Sequence, residues 1–171
     1  MIDLVLGGNK SGKSDFALGL LASSPKPWTF VATGKARDLA FREQIRIHRQ
    51  ERDPEITVVE VDTELLETLA SLSGRAGGIL VDSLDFWLFS VNCAFTDAAA
   101  RGAAQSKLMA ELTAWKGGRL ILVSTEMGLG PLAFDGETRA FVRDLGGLNR
   151  EIARVGTSVY LLVAGLPQKL K

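Results

Sequence analysis

Residues Gly7-Gly8-Asn9-Lys10-Ser11-Gly12-Lys13-Ser14 satisfy the spacing G-x-x-x-x-G-K-[ST] in full. Each residue type serves the binding of a polyphosphate. Gly7 and Gly12 let the backbone curl so that successive N–H groups converge on one point, aided by the positive end of a following helix. Gly8, Asn9, Lys10 and Ser11 complete the cradle. Lys13 reaches the β- and γ-oxygens of a nucleoside triphosphate, and the Ser14 hydroxyl is placed to ligate Mg²⁺. An apolar strand precedes the motif and a helical segment follows it, which is the context the chemistry demands.

A phosphate-bound Mg²⁺ needs a carboxylate at the end of a neighbouring buried strand, and Gly78-Ile79-Leu80-Val81-Asp82 supplies Asp82 after four residues of buried type. An aspartate there also suits an ordinary strand end or a helix cap. The phosphate loop favours the metal-linked role. Asp85, three residues later, either helps there or is merely solvated, and Glu126, after the apolar run 120–123, is a third candidate for the same pocket.

The single histidine, His48, sits in a helical stretch over 39–52. Spacing puts Phe41, Ile45 and His48 along one face, with Arg52 a turn beyond. A histidine at the edge of an apolar stripe suits a packed ring. Arg46, Arg49 and Arg52 crowd it, however, and such a neighbourhood suits phosphate handling. A neutral imidazole among them can attack phosphorus and carry the group covalently. Spacing leaves both roles open.

These residues must be held by a scaffold. Runs rich in β-branched and aliphatic residues at 2–6, 28–32, 57–61, 78–81, 119–124 and 158–163 read as strands. Most are nearly continuous in hydrophobicity, as strands of a parallel sheet covered on both faces must be. Helical spacing occupies 14–22, 39–50, 64–72, 99–115 and 138–155 between them. The alternation predicts a layered α/β fold. Pro25 and Pro27 make 23–27 a loop. Repeats, low-complexity tracts and long charge runs are absent, and 171 residues fit a single domain over 1–171.

Composition bounds the function. Apolar residues make up 46% and charged residues 23%, enough for a full core. Twenty basic residues balance twenty acidic ones, so no net field draws the molecule to nucleic acid or a membrane. The opening Met1-Ile2-Asp3-Leu4 lacks a secretory pattern, and no apolar run spans a bilayer. The expectation is a soluble, cytoplasmic protein in which the lone Cys93 is a small buried residue.

The phosphate loop, Phe30-Val31-Ala32-Thr33, Arg46-Ile47-His48-Arg49 with Arg52, and Ile79-Leu80-Val81-Asp82 occur in an order resembling one family. Ser124-Thr125-Glu126-Met127-Gly128, Arg143-Asp144 before Gly147-Leu148-Asn149, and Ala164-Gly165-Leu166-Pro167 continue that order. The family is that of bifunctional adenosylcobinamide kinase / adenosylcobinamide-phosphate guanylyltransferase. The resemblance covers nearly the whole chain.

The resemblance implies a three-layer, RecA-like P-loop NTPase fold with a mostly parallel central sheet and helices on both faces. It implies phosphorylation of adenosylcobinamide by ATP or GTP, then transfer of GMP from GTP through a guanylylated His48, in coenzyme B12 assembly and salvage. Lys13 and His48 would be catalytic. Thr33, Arg49, Arg52, Glu60 and Asp82 would join the loop in binding nucleotide, and Ser14 and Asp82 would hold Mg²⁺. Members form trimers, so an oligomer is expected. The chain departs from the family pattern at Ile56, Asp85, Ser90, Thr125 and Pro131-Leu132-Ala133. Two alternatives follow: an enzyme with one activity retained, or a P-loop switch or assembly module with no corrinoid acceptor.

Overall fold

The computed structural model describes residues 1–33, 55–75 and 77–171. Seven strands, β1 (Ile2–Gly7), β2 (Trp28–Thr33), β3 (Ile56–Val61), β4 (Gly78–Asp82), β5 (Arg119–Thr125), β6 (Ser158–Val163) and β7 (Leu166–Lys169), form one sheet. Their order is β3-β2-β4-β5-β1-β6-β7. Every pairing is parallel except that of β6 with β7. The six strands expected from sequence are all present, each within a residue of its expected start. The seventh, β7, was not expected.

The described helices are α1 (Lys13–Ala22), α2 (Leu65–Leu72), α3 (Leu84–Ala94), α4 (Ala98–Thr113) and α5 (Gly136–Val155). Four match expected segments, and the fifth expected segment, 39–50, lies outside the described residues. Helix α3 is a further element that periodicity did not reveal.

Alternation along the strands divides the core in two. Leu4 and Leu6 of β1 face one side with Val81 of β4 and Leu122 of β5, where they pack against Leu69, Trp87, Leu108 and Leu148 of α2 to α5. Val5, Leu80 and Ile121 face the other side and meet Ala17 and Leu21 of α1. This is the three-layer arrangement the continuous strands called for, since each central strand buries both faces. Burying a leucine side chain contributes about 1.5–3 kcal/mol, so the central strands give the site a firmly packed platform.

Caps fix where the helices begin. Asp97 accepts from the Ala99 and Ala100 amides at the start of α4, and Asp135 accepts from Thr138 N at 2.7 Å at the start of α5. At the far end of the sheet, Arg119 Nε donates to Asp3 Oδ2 at 2.6 Å. The same guanidinium donates to Leu20 O and Ser23 Oγ, so it closes the carbonyl end of α1.

Cys93 is exposed, contrary to expectation. Helix α3 buries Leu84, Trp87, Leu88 and Val91 on one stripe, and position 93 falls off it.

Candidate active site

The chain leaves β1 at its C-terminal end, crosses the loop and enters α1, and its next strand, β2, lies three places away in the sheet. Such a switch in strand order opens a crevice at the carboxyl ends of the strands. The phosphate loop sits in it.

Contacts from three directions hold the loop. Inside it, Ser11 N donates to Gly8 O, and Lys13 Nζ donates to the same carbonyl at 2.6 Å. From β5, Glu126 N donates to Gly7 O at 3.0 Å. From the turn between β6 and β7, Gly165 N donates to Ser11 O at 3.0 Å. The two motif glycines are needed where they stand. A Cβ on Gly7 would lie 2.5 Å from Ser11 Oγ and 2.7 Å from Leu162 O, while Gly12 is left-handed at φ 89°. Gly12 is the N-cap of α1 and brings no side chain to its first amides, which leaves them for an anion.

Strand β5 lies between β1 and β4, so Asp82, at the end of β4, faces the loop across one strand width. The two meet in a cleft of about 550 Å³ whose lining includes Ser11, Lys13, Ser14, Asp82, Asp85 and Thr125. Burial pulls the Lys13 amine below its ordinary value, while the charges of Asp85 and then Asp82 pull it back up. The ammonium therefore sits partly desolvated, within reach of the charges of Asp85 and Asp82.

Asn9, Lys10 and Gly12 of the loop also line the cleft. Other expected residues fall elsewhere. Thr33 is buried at the end of β2 and its hydroxyl donates to Ser83 O, so it braces the turn after Asp82 and does not line the cleft. Glu60 is exposed on the edge strand β3, four places from β1 in the sheet. His48, Arg49 and Arg52 lie outside the described residues. The Glu126 carboxylate accepts from Gly128 N at 2.8 Å, and its neighbours Thr125 and Met127 reach the cleft in its place. Asn149 of α5 fixes this strand end by donating to Thr125 O. Phe86 also lines the cleft and carried no sequence signal, because it belongs to the unexpected helix α3.

Fold and cleft together define a P-loop nucleotide-binding protein of the RecA-like α/β class. A prototypical ATPase from the type III secretion system of pathogenic bacteria superposes with a TM-score of 0.54 at 13% identity. The match covers 98% of this chain and 56% of that one, a likeness of fold alone. The chain belongs to the cobinamide kinase / cobinamide phosphate guanyltransferase family, whose model matches residues 3–170. It is 36% identical over 171 residues to the bifunctional adenosylcobalamin biosynthesis protein CobP of Pseudomonas aeruginosa, covering 100% of this chain and 98% of that protein. It is 27% identical to the bifunctional adenosylcobalamin biosynthesis protein CobU of Salmonella typhimurium, covering 100% of both chains.

Proposed function

We propose that the chain phosphorylates adenosylcobinamide with ATP or GTP and then transfers GMP from GTP through a guanylylated His48. The products are adenosylcobinamide-GDP and pyrophosphate, in coenzyme B12 assembly and salvage. The observation that carries this is the cleft in which Lys13, Ser14 and Asp82 meet over the phosphate loop.

In the phosphoryl-transfer step the free amides of the loop and of the first turn of α1 hold the β- and γ-phosphates. Lys13 releases the Gly8 carbonyl and turns its charge onto the γ-phosphoryl oxygens, where charge grows as the bond breaks. The donor set fits Mg²⁺, since the Ser14 hydroxyl and Asp82 carboxylate are hard oxygens and this ion takes few protein ligands beside phosphate and water. Bound there with nucleotide, Mg²⁺ would neutralise charge on the transferring group. Thr33 and the buried Leu84 keep Asp82 in register by fixing the turn between β4 and α3.

In the second step the His48 imidazole attacks the α-phosphorus of GTP and pyrophosphate departs. The phosphorylated corrinoid then takes GMP from the histidine. A covalent carrier splits one hard displacement into two easier ones, and Arg49 and Arg52 supply charge beside it. The single-domain protein works in the cytoplasm as a homotrimer. Among the described residues, no helix is long and apolar enough to cross a membrane. Leu129, Leu132 and Phe134 are exposed on one loop, and such apolar surface supports self-association.

Incubation with α-labelled GTP tests the carrier. Acid-labile label on the protein that is lost in His48→Ala is expected. Full labelling of His48→Ala would overturn the assignment.

A further inference from the structure

Among the described residues, three carboxylates line the cleft: Asp15, Asp82 and Asp85. Asp15 is exposed on α1, and Asp82 at the strand end has its place beside the phosphates. Glu126, a neighbouring acidic residue, accepts from the Gly128 amide. Asp85 differs from all of these. It is half-buried, and its Oδ1 is shut off from solvent yet accepts no hydrogen bond from any described residue. Folded proteins keep few such acceptors, because desolvating an oxygen without a donor costs free energy.

The backbone explains how that oxygen is held in place. Asp85 is the second residue of α3, whose N-cap Ser83 makes no side-chain cap. A carboxylate is favoured beside the positive end of a helix. The turn leading to it is braced by Thr33 and anchored by Leu84, which is fully buried. Phe86 and Met127, both exposed, add apolar surface to the cleft where an acceptor molecule can rest.

We propose that Asp85 is a catalytic residue of the kinase step, the base that takes the proton of the hydroxyl being phosphorylated. The assignment rests on the kinase function proposed above. The hydroxyl oxygen forms its bond to the γ-phosphorus as the bond from that phosphorus to the β,γ-bridging oxygen breaks. The electron pair of the broken bond leaves with the nucleoside diphosphate. The hydroxyl proton passes to the Asp85 carboxylate, which lines the cleft, and from there to water at the cleft mouth. Lys13, the residue that meets the γ-phosphate, lines the same cleft as Asp85 and feels its charge.

The test compares the full-length protein with Asp85→Asn and Asp85→Glu, using Mg·ATP and adenosylcobinamide. In Asp85→Asn, kcat for phosphoryl transfer falls about 100-fold or more. KM for ATP and the thermal shift produced by Mg·ATP stay near wild type, and Asp85→Glu recovers part of the rate. The proposal is overturned if Asp85→Asn turns over like the wild type, or if its rate is lost only together with the nucleotide-induced shift. A wild-type protein that transfers no phosphate to the corrinoid would instead overturn the kinase assignment on which the proposal stands.

Discussion

Lys13 folds back over its own loop and places Nζ 2.6 Å from the Gly8 carbonyl oxygen, so the residue that should meet phosphate is held at the loop by the loop's own backbone. Lys13→Ala is expected to lower phosphoryl transfer by about 10²- to 10³-fold while the fold persists. The same change reveals a stability term with a definite sign. Because burial lowers the folded value of this amine, the folded protein holds the proton less tightly than the unfolded chain does. The penalty is present at neutral pH and fades as pH climbs through the lowered folded value toward 10.5. Denaturant titrations should therefore show wild type gaining on Lys13→Ala across that window, with other titrations cancelling in the difference. A difference that falls with rising pH would contradict the assignment.

Gly12 combines a left-handed backbone with a close neighbour, its would-be Cβ lying 3.2 Å from Gly165 Cα. Gly12→Ala should cost about 1–2 kcal/mol of backbone strain. It should also remove the thermal shift that Mg·ATP produces, since the first amides of α1 would be re-aimed. Calorimetry with and without nucleotide checks both.

The buried pair of Asp3 and Arg119 lies at the opposite end of the sheet from the cleft, and Asp3 is 1% exposed. Arg119→Met leaves that carboxylate buried without its partner, and stability should fall by about 3–5 kcal/mol. Adding Asp3→Leu should recover most of the loss, because an apolar pair replaces the ionic one without stranding a charge. Urea unfolding of the single and double variants decides it. A double variant as unstable as the single one would mean that the contacts of Arg119 to Leu20 and Ser23 carry the stability.

The strands and the loop were legible because their signals are local. Continuous apolar runs such as Leu4-Val5-Leu6 state that a strand is covered on both faces, and the glycine spacing of the loop states a backbone shape. Helix α3 was hidden by its own composition. Phe86 and Phe89 are exposed beside the buried Trp87 and Leu88, so apolar residues ring the helix and blur its period. Strand β7 was hidden because it is four residues long, exposed and interrupted by Pro167, a residue that strands accept at an edge. At the end of β5 the sequence pointed to Glu126, but Thr125 and Met127 enter the cleft. Which of two adjacent side chains faces inward depends on how the strand leaves the sheet, a matter of tertiary contacts such as the one from Asn149.

The hydrogen bond from Gly165 to Ser11 makes a late turn the clasp of a loop built from the opening residues. A nascent polypeptide still waiting for that turn to leave the ribosome cannot present the finished cradle, whatever has already formed upstream. The pocket that takes nucleotide is thus finished from both ends of the polypeptide, its last backbone tie coming from the hairpin at the sheet's edge.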